Sequence, residues 1–129
     1  MPRSSVALTA EPLSGDAVVT AAGRVWTAQA GADAEPLEAR VVDEGAVLQL
    51  VAGDAVVLSV LRPRLLPRLD EVERLLPGTT PPEGTQWWTD AFTPWRPEGA
   101  IGVAILDAAA EASRGIVVHQ GLAPTRNPR

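Results

Sequence analysis

The chain has no cysteine, no tyrosine and no lysine, and it carries one histidine and one phenylalanine. Each absence removes a chemistry. Without cysteine there is no thiolate nucleophile and no thiolate-bound zinc, without lysine no Schiff base, and a lone histidine cannot build a two-histidine metal site. Apolar runs long enough to span a bilayer are also missing, so no membrane association is expected. Met1 to Leu8 contains no extended apolar stretch behind Arg3, so no secretory signal is expected, and a cytoplasmic location fits a chain without disulfides.

What is present is a globular composition. At 129 residues, with 46% hydrophobic and 21% charged residues, the chain reads as one α+β domain over 1–129, with 122–129 as a frayed tail. The net charge of −5 argues against nonspecific nucleic-acid binding, which draws its affinity from phosphate neutralisation. All 11 basic residues are arginine.

The first half reads as strands joined by tight turns. Val18–Ala21 and Arg24–Ala28, rich in β-branched residues around Gly23, suggest a hairpin. Leu37, Ala39 and Val41 alternate with Glu38 and Arg40, as in a half-exposed strand. The strongest local signal is Gly53-Asp54 between the apolar runs 46–51 and 55–61, because glycine at the first of two loop positions suits a type II′ hairpin. Pro63 ends that strand. Helices are expected over 67–76, stopped by Pro77-Gly78, and over 98–113, with Gly115 as C-terminal cap. Ile116–His119 reads as a last strand. The expected architecture is an antiparallel meander of about five or six strands, two helices on one face and a returning C-terminal strand.

Three groups of residues are candidates for a site. Trp87, Trp88, Phe92 and Trp95, with Arg96 beside them, offer rigid aromatic contact area, or alternatively supply the bulk of a core otherwise poor in aromatics. Arg62, Arg64 and Arg68 stand near an expected helix start and suit an anion, or simply pair with Asp70, Glu71 and Glu73. His119 suits a general base if a nucleophile and a carboxylate meet it, which no motif provides, and otherwise is an ordinary strand residue. Asp107 and Glu111 lie one turn apart on the second helix. No phosphate loop, serine-hydrolase elbow or metal motif is found, and no cofactor is expected.

These features favour a non-enzymatic protein-binding or adaptor module, chaperone-like or inhibitor-like. It would recognise a protein partner through an apolar sheet face or the Trp87–Trp95 segment. Strands apolar on both faces also suggest a homodimer. The alternative is a small-ligand-binding domain or a small enzyme using His119 with a carboxylate.

Overall fold

A computed structural model describes residues 3–30, 35–95 and 97–120. The elements run β1 (Arg3–Thr9), α1 (Gly15–Ala30), β2 (Leu37–Val42), β3 (Val47–Ala52), β4 (Ala55–Leu61), β5 (Arg64–Leu65), α2 (Asp70–Leu75), β6 (Trp87–Thr93), α3 (Pro97–Ala112) and β7 (Gly115–His119). Every strand pairing is antiparallel, in the order β2-β3-β4-β6-β1-β7, with the short β5 also on β6. This is an α+β fold.

The Gly53-Asp54 hairpin forms as its sequence dictates. Gly53 takes φ +60°, Ala52 opposes Ala55, and the strands stay in register to the Leu50–Leu58 pair, except that Val57 is an extra residue on β4. This bulge turns both Val57 and Leu58 inward, and both are fully buried. Past Pro63 the chain resumes as β5 and pairs with β6 beyond the point where β4 leaves it.

Residues 15–30 form a helix, not the expected hairpin. The physical reason is a stripe at helical spacing: Val18, Ala21, Ala22, Val25 and Trp26 all pack into the main core. Ser14 caps the start, its Oγ accepting from the Ala17 N–H at 3.1 Å. β-branched propensity in Val18, Val19 and Val25 yields to that burial.

Two long helices share one sheet face, but they are α1 and α3. The main core lies beneath them, built from Ala7, Leu50, Leu58, Val60 and Ala91 of the sheet and Val18, Ala21, Ile105, Leu106 and Ala109 of the helices. The helix expected at 67–76 shortens to α2 and lies on the opposite face. There Val72 and Leu76 cover Val6, Leu8 and Trp88, with Leu66 and Val118 against them. Alternation along β1 assigns the faces: Val6 and Leu8 join this second cluster while Ala7 joins the main one.

The capping arrangement of α3 also differs from expectation. Arg114 takes the left-handed conformation (φ +64°), and Gly115 opens β7 against the backbone of Leu8 and Thr9, where a side chain would collide. The expected tail 122–129 lies outside the described residues.

Candidate functional site

The tryptophan segment is a strand, and its pleat divides the aromatic residues. Trp88 is 7% exposed and packs in the second core cluster, whereas Trp95, just beyond β6, is 40% exposed. Trp87 and Phe92 are half-buried. Trp88 is fixed by its polar edge: its indole N–H donates to Asp90 Oδ1 at 3.0 Å. Asp90 Oδ2 in turn accepts from Arg64 Nη2 at 3.2 Å, and that guanidinium lies 5.7 Å from the Trp88 ring centroid. The structure thus joins two groups that the sequence keeps 24 positions apart. Trp95 is covered by Arg3, whose guanidinium carbon stands 4.6 Å from the ring centroid. Arg96 lies outside the described residues.

The three arginines of the β4–α2 connection do not converge. Arg64 pairs with Asp90 and Arg68 with Asp70, the latter at 2.6 Å. Arg62 lies instead beside the turn at Gly45 and borders a groove near the start of α1. On α2, Arg74 grips Glu71 at 2.6 Å, and that hydrogen bond holds the Glu71 carboxyl below its ordinary range.

His119 meets two partners that the sequence does not announce. Its Nδ1 is 2.8 Å from Ser5 Oγ and its Nε2 is 2.9 Å from Asp107 Oδ1. A carboxylate only accepts, so Nε2 is the donor to Asp107, and in the neutral ring Nδ1 is then the acceptor from the Ser5 hydroxyl. Serine, histidine and aspartate are therefore linked in the order of a hydrolytic triad. The environment is wrong for that chemistry. Ser5 is 1% exposed, sealed between β1 and the helix layer, so no acyl group can reach its oxygen. The chain of bonds instead ties α3 to β1 and β7. Asp107 lies one turn from Glu111, but its partner is His119 of β7, which the antiparallel register sets opposite Ser5.

The second sheet face is left partly open by the helices. Arg40, Gln49, Ser59, Phe92, Ser4 and Gln120 form one row in register across the sheet. Arg40 Nε donates to Gln49 Oε1 at 3.1 Å, Gln49 Nε2 to Ser59 Oγ at 3.3 Å, and Ser4 Oγ to Gln120 Oε1 at 3.3 Å. A second row, Val42–Val47–Leu61, runs beside its β2–β4 half, and all three side chains are half-exposed. The α2 segment covers the other end of this face, over Val6, Leu8 and Trp88. Phe92 lies in the polar row and Trp95 just beyond its strand.

Among the described residues no group of three or more His, Asp or Glu side chains is arranged to hold a metal, and no helix is long and apolar enough to cross a membrane. No family of proteins, curated protein or solved structure matches the chain.

Proposed function

We propose that the protein is a non-enzymatic, cytoplasmic binding module that recognises a protein partner on the open half of its second sheet face, with Phe92 and Trp95 as anchors. The observation that carries this reading is the apolar row Val42–Val47–Leu61 left half-exposed beside Phe92; Trp95, 40% exposed, follows two residues past the end of the Phe92 strand. An open sheet face with an apolar row beside a polar one suits a polypeptide better than a small molecule, which prefers a deep concave site. Trp95 is already held by Arg3, so little freedom remains to be lost on binding. The reading includes self-association.

The second reading, a small enzyme, draws on the His119–Asp107 contact. The burial of Ser5 counts against it.

Affinity capture from the native host with the whole chain, followed by titration of the captured partner, tests the proposal. Phe92→Ala and Trp95→Ala are each expected to weaken binding by about 2 kcal/mol, roughly 30-fold, as hot-spot anchors do. A partner bound equally well by both variants, or capture of nothing above background, overturns it.

A further inference from the structure

β2 is the terminal strand of the sheet, and among the described residues no backbone pairs with its outer side. The direction of its free groups follows from the neighbouring hairpin. A two-residue loop closes on a pair that exchanges both hydrogen bonds, so Ala52 and Leu50 direct their N–H and C=O groups at β4. Gln49 and Val51 then direct theirs at β2, where they oppose Arg40 and Glu38. It follows that Leu37, Ala39 and Val41 aim their backbone groups outward, away from the sheet.

The helix layer also stops short of this strand. Grooves of about 220 Å³ and about 260 Å³ separate α1 from β2, and Val41 is 64% and Val19 46% exposed. Leu37, Ala39 and Val41 lie on this helix face, since they oppose Ala52, Leu50 and Leu48. Glu38 and Arg40 lie on the other. Edge strands that avoid pairing carry charge that any incoming strand must bury or oppose. Here the two charges are opposite in sign and flank Ala39.

We propose that β2 pairs with β2 of a second copy, antiparallel and centred on Ala39, to form a homodimer with one continuous sheet. This deepens the self-association in the reading above and does not depend on the open face. Placing Ala39 on the two-fold axis sets Glu38 opposite the partner's Arg40 and Arg40 opposite the partner's Glu38. On the helix face it sets Leu37 opposite the partner's Val41, so an apolar stripe continues through the axis. The outward groups of Leu37, Ala39 and Val41 meet their equivalents and close about six hydrogen bonds. The charged pairs fall at the positions without mutual backbone bonds, where side chains stand closest. Charge also selects this register: moving the axis by one residue in one direction sets Glu38 against itself, and in the other sets Arg40 against itself. The odd and even positions keep their faces in all three, so only the charges decide among them.

Sedimentation equilibrium of the full chain, up to about 100 μM, tests the proposal with E38R and R40E. The unaltered chain is expected to dimerise. E38R sets two arginines against two and R40E two glutamates against two, so each is expected to raise the dimer Kd at least about tenfold. An equimolar mixture restores both opposite-charge pairs and is expected to give a heterodimer of about the original affinity. A monomeric unaltered chain, a dimer indifferent to both substitutions, or a mixture that stays monomeric overturns the proposal. Phe92→Ala and Trp95→Ala leave this dimer unchanged, so failure of the open-face reading registers separately.

Discussion

Neighbouring aromatic residues do different work in this chain because the pleat separates them. Trp88 faces Val72 and Leu76 with its indole N–H bonded to Asp90, so truncation leaves a cavity and an orphaned carboxylate contact together. Trp88→Ala is expected to destabilise the fold by about 3–5 kcal/mol in urea denaturation. Trp95→Ala loses an exposed ring and one cation–π contact and is expected to cost less than about 1 kcal/mol. Equal losses for both would place Trp95 in the architecture and remove it as an anchor. The division is partly legible in sequence, since Pro94 ends the strand before Trp95 while Trp88 lies within it. The Ser5–His119–Asp107 chain is not. Its members come from β1, β7 and α3, and only the antiparallel register of β1 with β7 brings Ser5 to His119.

Elements were readable where local turn chemistry decides and unreadable where burial decides. The β3–β4 hairpin follows from Gly53, and α3 from a long apolar run that starts at Pro97, although Arg114 and not the expected Gly115 takes the left-handed position at its end. α1 was hidden because its valines favour strands and Gly23 suggests a turn between them, although Val18, Ala22 and Trp26 recur at the helical spacing that burial in the core selects. β1 was hidden as well, because its Ser5, Ala7 and Thr9 face a tightly packed layer that small residues fit. The layer is also tight where α3 crosses β4. A Cβ on Gly102 would collide with the Val57 carbonyl oxygen and press on Thr93 Cγ2, and Val57 is the bulged residue. In an exposed helix, glycine to alanine stabilises by about 1 kcal/mol. Gly102→Ala is expected to reverse that sign and cost about 1–3 kcal/mol, as overpacking does. A thermal midpoint unchanged or raised would mean that α3 can withdraw from the bulge freely.

At the scale of the whole molecule, one layer of helices serves a sheet wider than the helices can cover. The uncovered margins are the β2 edge and the β2–β4 half of the second face, and both proposals rest on them. Neither was visible as a margin in the sequence, where the same residues read only as strands apolar on two sides. The placement of β1 has a separate consequence, which concerns time. Arg3–Thr9 is synthesised well before its partners on either side, Trp87–Thr93 and Gly115–His119, with β2 to β5 made in between. The β3–β4 hairpin can close within microseconds of its own synthesis, whereas β1 waits for nearly the whole chain. Contacts so distant in sequence slow folding and leave the intermediate open to misassembly. Pulsed hydrogen exchange during refolding is expected to protect the amides of Leu50 and Leu58 before those of Val6 and Leu8. Until β1 inserts, the molecule has a strand-shaped vacancy between β6 and β7, and its core closes only when an early strand is met by two made long after it.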